Sequence, residues 1–186
     1  MKKKTLLLLL ALVLVIGGVI GGSLAWLTDT TNDVVNIFTT SGIDITLEES
    51  EDLDLTMVPG YTIEKDPMVT VLDGSEDCWL FVKLEKSANF DNFLSYVIAD
   101  GWTQGDGTNI PSNVFYRAVM SEDAVKNFGV LKDDEVTVLC TVTQAMMEAL
   151  NVDIYPKLTV TAYASQYYKN NTEAFSAAEA WANIGN

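Results

Sequence analysis

The first 40 residues combine a basic start with a long apolar run. Three lysines at positions 2–4 precede apolar residues 6–20, and glycine pairs and the triplet Ser23-Leu24-Ala25 follow. A secretory signal peptide typically has a positive start, then an apolar stretch, and then small residues at the third and first positions before the cut. We therefore predict that residues 1–25 form a hydrophobic signal helix, which signal peptidase removes by cutting between Ala25 and Trp26.

A retained membrane anchor is the alternative reading of the same run. No charged residue occurs from position 5 to position 28, and about 20 apolar residues suffice to cross a bilayer. The four glycines at positions 17, 18, 21 and 22 weaken a helix there and favour a cleavable end. If the segment stays uncleaved, it is the part of the chain that would contact a membrane, with the lysines on the cytoplasmic side.

Beyond residue 40, short stretches alternate between apolar and polar residues. Ile43, Ile45 and Leu47 alternate with polar neighbours, and a period of two predicts half-buried strands. In residues 78–84 the alternation places Cys78, Leu80, Val82 and Leu84 on one strand face and Trp79, Phe81 and Lys83 on the other. Further strands are predicted at 68–72, 93–98, 114–120, 135–143 and 157–163. This spacing favours a single all-β domain over residues 26–186, an antiparallel β-sandwich.

Three short helices are predicted among these strands. Ser121 and the acids after it open the first, which Gly129 would end, and Thr143 caps the second over residues 144–150. The third begins with the capping box Ser176-Ala-Ala-Glu179. It is expected to place Phe175 and Trp181 against the sandwich.

Acidic residues dominate the charge of the chain. The net charge is −15, and removal of the three N-terminal lysines leaves 8 basic and 26 acidic residues, a net charge of −18. Such a surface repels nucleic acid and anionic lipid. We expect a soluble monomer whose association is favoured by acid or divalent cations.

The chain offers little for catalysis. It contains no histidine, which removes Ser-His and Cys-His chemistry and the usual zinc ligand. No phosphate-binding, dinucleotide or metalloprotease motif is present. Cys78 and Cys140 both fall on apolar strand faces, so buried free thiols are favoured, although export would also permit a disulfide. We predict no catalytic, cofactor-binding or metal-ligating residue and no enzyme activity.

Two groups of side chains could bind a ligand. The acidic run EESEDLD at residues 48–54, and the turn with Asp73, Glu76 and Asp77, could bind calcium through oxygen ligands, although solvated loops are commoner. Exposed aromatics could form a carbohydrate platform, although packing is the commoner role. These aromatics are Trp79, Trp102, Tyr116, Tyr163, Tyr167 and Tyr168.

Several motifs carry a family resemblance. Trp26-Leu27-Thr28-Asp29 after the cleavage site, followed by Gly42-Ile43-Asp44-Ile45, resembles the start of the TasA/camelysin family. The turn Val58-Pro59-Gly60 with Lys65, and residues 158–166 with 178–181, resemble later parts of that family. The resemblance implies export from a Gram-positive cell with a SipW-type signal peptidase, and a jelly-roll-like β-sandwich. It also implies a role as a subunit of extracellular biofilm-matrix fibres.

The segment after the cleavage site is the candidate assembly strand. Residues 26–40 contain Val34, Val35, Ile37 and Phe38, and an unpaired apolar segment can complete the sheet edge of a neighbouring subunit. The expected partners are further copies of the chain or related matrix proteins. Two alternatives remain: a secreted hydrolase, which fits the peptidase label of some family members but lacks their histidine ligands, and a cell-surface adhesin or carbohydrate-binding module.

Overall fold

A computed structural model describes residues 42–50, 56–151 and 153–184 of the chain. The described residues contain twelve strands and three short helices. The strands are β1 (Ile45–Glu48), β2 (Thr62–Glu64), β3 (Met68–Val71), β4 (Cys78–Lys86), β5 (Leu94–Ile98), β6 (Thr103–Gln104), β7 (Val114–Val119), β8 (Asn127–Gly129), β9 (Leu131–Val138), β10 (Leu158–Gln166), β11 (Tyr168–Asn170) and β12 (Glu173–Ala174). The helices are α1 (Phe90–Phe93), α2 (Gln144–Glu148) and α3 (Ala177–Ile184). The prediction of an all-β fold with a few short helices is confirmed.

All described strand pairs are antiparallel. The strand orders are β1-β3-β8, β2-β9-β5, β10-β4-β7-β6 and the hairpin β11-β12. The first two sheets continue into each other, because β2 leads into β3 and β8 leads into β9. Val130 N donates to Pro67 O at 3.0 Å, and Lys65 N donates to Asp134 O at 2.7 Å, across this junction. The result is one bent ladder in which the β2–β3 stretch runs beside the β8–β9 stretch.

The main core lies between the bent ladder and the sheet that contains β4. Alternate residues of β4, namely Cys78, Leu80, Val82 and Leu84, are at most 1% exposed and belong to this core. Val69, Phe128 and Val136 reach it from the bent ladder. The predicted face of β4 is therefore confirmed, and the burial of these side chains is the main force that holds the sheets together.

The opposite face of β4 is covered by the C-terminal helix. Phe81 is fully buried, and its ring centroid lies 5.2 Å from that of Trp181 on α3. The Trp79 indole N–H donates to Phe175 O at 2.9 Å. The helix begins with the predicted capping box, in which Ser176 N donates to Glu179 Oε2 at 2.9 Å and Glu179 N donates to Ser176 Oγ at 3.3 Å. The expectation that Phe175 and Trp181 pack against the sheet is confirmed.

The prediction of a helix from Ser121 is wrong. Ser121 N donates to Asp77 Oδ1 at 2.6 Å, and Asp123 caps a turn by accepting from Met120 N at 2.8 Å. The acids therefore stabilise a turn instead of a first helical turn. Residues 127–129 then form β8 along β3, because this pairing buries Phe128 in the core.

Candidate functional site

An apolar groove opens beside β2. It has a volume of about 730 Å³, and its base reaches the core through Ile63, Phe90, Leu94 and Val136, each at most 9% exposed. The outer lining comes from residues that precede β2 and from the start of β10, among them Met57, Tyr155, Pro156 and Leu158. We call this feature the β2 groove.

Two strand edges border the β2 groove. Within the described residues, β2 pairs only with β9, and β10 pairs only with β4. The strand β1 lies beside β3, from Ile45 opposite Val71 to Glu48 opposite Met68, and ends before it would reach β2. On the side away from β8–β9, the β2–β3 stretch therefore has β1 beside β3, and no strand of residues 42–50, 56–151 and 153–184 lies beside β2. An edge of this kind presents backbone donors and acceptors to another strand.

Two lysines line the β2 groove of this acidic protein. Lys65 Nζ lies 2.6 Å from Glu49 Oε1, and its side chain is mostly buried. Lys157 is exposed, and its backbone N donates to Ser87 Oγ at 2.9 Å. These are the cationic side chains of the lining. Glu49 balances Lys65, so the exposed ammonium of Lys157 is the local positive charge that the groove offers.

The residues predicted for export and assembly lie outside the described residues. These are Ser23, Ala25 and Trp26 at the predicted cut and Val34, Val35, Ile37 and Phe38 in the predicted assembly strand. Their roles stay predictions.

The two cysteines have different environments, and the expectation that both are buried is wrong for one of them. Cys78 is fully buried on β4, and burial, with a smaller effect of Asp77, raises the pKa of its thiol to about 11. Cys140 is exposed. Strand β9 ends at Val138 and the chain turns there, with Val142 N donating to Leu139 O at 3.1 Å, so the strand alternation no longer applies. Both thiols are free.

The acidic residues predicted as possible calcium ligands do not converge where the structure describes them. Asp77 is engaged by Ser121 N, which lowers the pKa of its carboxyl. Asp73 is 3.6 Å from Lys126 Nζ. Across residues 42–50, 56–151 and 153–184, no group of three acidic or cysteine side chains is arranged to hold a metal ion. Part of the run at residues 48–54 lies outside these ranges.

The predicted aromatic residues mostly pack against one another. The rings of Trp79 and Tyr167 stack at 5.4 Å, Tyr116 lies edge-on to Trp79 at 5.9 Å, and Tyr163 lies edge-on to Trp181 at 5.6 Å. At the edge of this cluster Tyr168 is 48% exposed. Trp102 lies elsewhere, with its indole N–H donating to Gly129 O at 2.9 Å. The structure thus gives these rings a packing role and no continuous flat platform.

Sequence reasoning missed Arg117, whose guanidinium lies over the rings of Trp102 and Phe128. Its guanidinium carbon is 3.9 Å from the ring centroid of Phe128 and 5.5 Å from that of Trp102. Burial lowers the pKa of Arg117, and its Nε is the one buried side-chain polar atom without a partner among the described residues. The available signal was that Arg117 is the one basic residue of the strand Val114–Val119. A basic side chain within an apolar strand needs aromatic faces or a carboxylate nearby.

Comparison with protein-family models, with curated proteins and with solved structures found no match for this chain. Among the helices that the structure describes, none has the length and apolar character needed to cross a membrane.

Proposed function

We propose that this protein is a secreted structural subunit that self-associates into extracellular or biofilm-matrix fibres on a Gram-positive cell surface. The observation that carries the proposal is the β2 groove, which joins a strand edge with no neighbour among the described residues to an apolar opening into the core. The occupant is the segment 26–40 of a second copy, which follows the predicted cleavage site. Its strand would add to β2, and its side chains would enter the groove.

A jelly-roll-like sandwich is part of this proposal. The bent ladder has the order β1, β2–β3, β8–β9, β5, and it shares its core with the sheet β10-β4-β7-β6. β4 lies between β7 and β10, and β9 lies between β2 and β5, so these neighbours are distant in sequence, as in Greek-key connections. Among the described residues no strand lies beside β2 on the side away from β9, so such a sandwich has room for an added strand there.

The segment 26–40 fits the β2 groove in pattern and charge. In an extended strand Val35 and Ile37 point to one face, and Val34 and Phe38 to the other, so either face supplies two apolar side chains. Asp29 and Asp33 precede these residues. Their carboxylates could approach the exposed Lys157, which reduces the repulsion between acidic copies.

Electron microscopy of the protein that starts at Trp26 tests the donor side. We expect fibres from the parent, and no fibres from a variant that lacks residues 26–40 or that carries Ile37→Asp with Phe38→Asp. The matched control is Thr30→Asp with Thr31→Asp, which adds the same charge to the segment and keeps its apolar residues. Fibres from the Ile37 and Phe38 variant equal to those of the parent would exclude this segment as the donor.

Charge reversal at the groove tests the acceptor side. Lys157→Glu should slow assembly several-fold, because it removes the exposed cation of the β2 groove. The control is Lys132→Glu, which makes the same change on an exposed residue of β9 outside the groove lining. Equal slowing by both variants would show that only net charge matters, and a parent that stays monomeric under all conditions would contradict the fibre proposal.

A further inference from the structure

A second opening, polar in character, lies at the end of the sheets where β5 and β6 are edge strands. This β5–β6 cleft has a volume of about 500 Å³, within the range of small-molecule sites. Its lining comes from four strands and from the residues just before β7, and it shares no lining residue with the β2 groove. Its side chains differ in kind from those of the groove, because amides, a carboxylate, an ammonium group and a phenol predominate.

Two side-chain amides of the cleft are held in place by the backbone. Gln104 Nε2 donates to Ser112 O at 2.7 Å, and Asn113 Nδ2 donates to Leu84 O at 3.0 Å. Each bond fixes the orientation of its amide, and the oxygen of each amide has no hydrogen-bond partner among the described residues. Fixed acceptors that remain free lose little conformational entropy when a ligand donates to them.

A donor and an aromatic surface complete the lining. Tyr96 is half-buried, and burial raises the pKa of its phenol, which therefore stays protonated and able to donate at neutral pH. Lys86 Nζ lies 5.1 Å from the Tyr96 ring centroid and 2.8 Å from Asp91 Oδ1. The buried ring of Phe115 supplies an apolar part of the wall.

The charges of the cleft are compensated within the protein. Asp91 balances Lys86, and Lys83 Nζ lies 2.8 Å from Glu85 Oε1. An anionic ligand would also meet the repulsion of a strongly acidic chain. The lining therefore favours a neutral ligand that both donates and accepts hydrogen bonds and carries some apolar surface.

We propose that the β5–β6 cleft binds a neutral sugar unit, free or at the end of a polysaccharide. Sugar hydroxyls donate to the amide oxygens of Gln104 and Asn113 and accept from Tyr96, and the C–H faces of the ring contact the aromatic wall. This activity is independent of the β2 groove. A subunit that polymerises through that groove would keep the cleft available for matrix carbohydrate.

Calorimetric titration of the protein that starts at Trp26 tests the proposal with defined probes. The neutral probes are cellotriose, maltotriose and chitotriose, and the anionic probe is trigalacturonate. We expect at least one neutral trisaccharide to bind, and a soluble polysaccharide of the same sugar to bind with similar affinity per chain end. Gln104→Leu should weaken binding about tenfold, which is the effect of one lost hydrogen bond. Tyr96→Phe, which removes only the hydroxyl, should weaken it several-fold.

The matched control is Gln144→Leu, which makes the same change at an exposed glutamine whose Nε2 donates to Glu148 at 2.7 Å. It should bind like the parent. Circular dichroism verifies that each variant is folded. Absence of binding for all three neutral probes, tighter binding of trigalacturonate, or unchanged affinity in Gln104→Leu would each overturn the proposal. Binding of the polymer without the trisaccharide would overturn it too, because the contact would then lie outside the cleft.

Discussion

The sequence pattern predicts the same buried environment for the two cysteines, but the local backbone geometry gives them different environments. Both fall on an alternating apolar face, but Cys78 is the first residue of the nine-residue strand β4, whereas Cys140 comes two residues after β9 has ended. The turn brings Cys140 Sγ near Gly60, where an added Cβ would lie 3.3 Å from the sulfur. Gly60 has a φ of +83°, which a side chain would strain. Strand alternation predicts burial only as far as the strand extends.

One thiol of the native protein should react with a small disulfide reagent. Cys140 is exposed and should be modified within minutes, whereas Cys78 is buried and has a raised pKa, so it should react only after unfolding. The measurement is the number of reactive thiols with and without denaturant. Cys140→Ser should abolish the reaction of the native protein. Two reactive thiols in the folded parent would contradict the burial of Cys78.

The environment of some residues could be predicted from the sequence, and that of others could not. The alternation predicted the buried side of β4 residue by residue, because a period of two fixes which side chains share a face. The position of Arg117 over the rings of Phe128 and Trp102 depends on strands that pair far apart in sequence. The same holds for Gln104 and Asn113, whose meeting in one cleft requires the register of β4, β6 and β7.

Long, strongly alternating elements were predictable, and short ones were not. The strands β3, β4, β5, β7 and β10 and the capping box of α3 lie where the sequence predicts them. β2, β6, β8, β11 and β12 have two or three residues each and carry no periodic signal, so tertiary pairing alone defines them. The β2 groove depends on the end of β1 at Glu48 and on an edge of β2 that has no neighbour in the described part of the chain, and neither is visible in the apolar pattern.

The two-sided burial of β4 predicts a large effect at Phe81. Its ring is fully buried between Tyr116 and Trp181, so Phe81→Ala should lower the free energy of unfolding by about 3–5 kcal/mol. Val97 on β5 is 62% exposed, and Val97→Ala should change the free energy of unfolding by less than about 0.5 kcal/mol. Denaturant unfolding of both variants measures the difference. A loss at Phe81 as small as that at Val97 would mean that α3 does not cover the sheet in solution.

The docking of α3 should weaken in acid. A hydrogen bond from Lys169, together with those from Ser176, lowers the pKa of Glu179 from 4.5 to about 2. A carboxylate with a lowered pKa stabilises the folded state above its ordinary pKa, and this stabilisation is lost as the pH falls through about 4.5 to 2. Hydrogen exchange of the amides of α3 should therefore accelerate in that window.

Two variants at α3 distinguish the effect of the capping box from the general effect of removing one negative charge. Glu179→Gln should accelerate exchange at neutral pH and flatten the pH dependence below about 4.5. Glu173→Gln removes the other carboxylate that contacts Lys169, at 3.1 Å, and leaves the capping box intact. It should have the smaller effect on exchange. Equal effects of the two variants would show that the capping box does not hold the helix.

At the scale of the whole molecule, an acidic surface opposes the association that the β2 groove would mediate. The predicted cleavage leaves a net charge of −18, and two such chains must approach closely before a strand can add to β2. The exposed Lys157 of the groove reduces this repulsion only locally. The approach of two copies, more than the final strand pairing, should therefore control the rate of assembly.

Fibres of the protein that starts at Trp26 should form slowly at neutral pH and low salt. They should form faster under conditions that reduce the negative charge of the protein. Acid at pH 4–5 protonates part of the surface carboxylates, whose usual pKa values are about 4, and calcium binds to or screens them. Glu179, with a pKa of about 2, stays ionised at pH 4–5, so α3 keeps most of this stabilisation while the surface loses charge. The measurement is the lag time of light scattering, followed by electron microscopy of the product. Sodium chloride at the ionic strength of the calcium sample is the control, because general screening should shorten the lag less than a bound divalent cation does. A lag time that does not change with pH, salt or calcium would show that charge repulsion does not limit assembly.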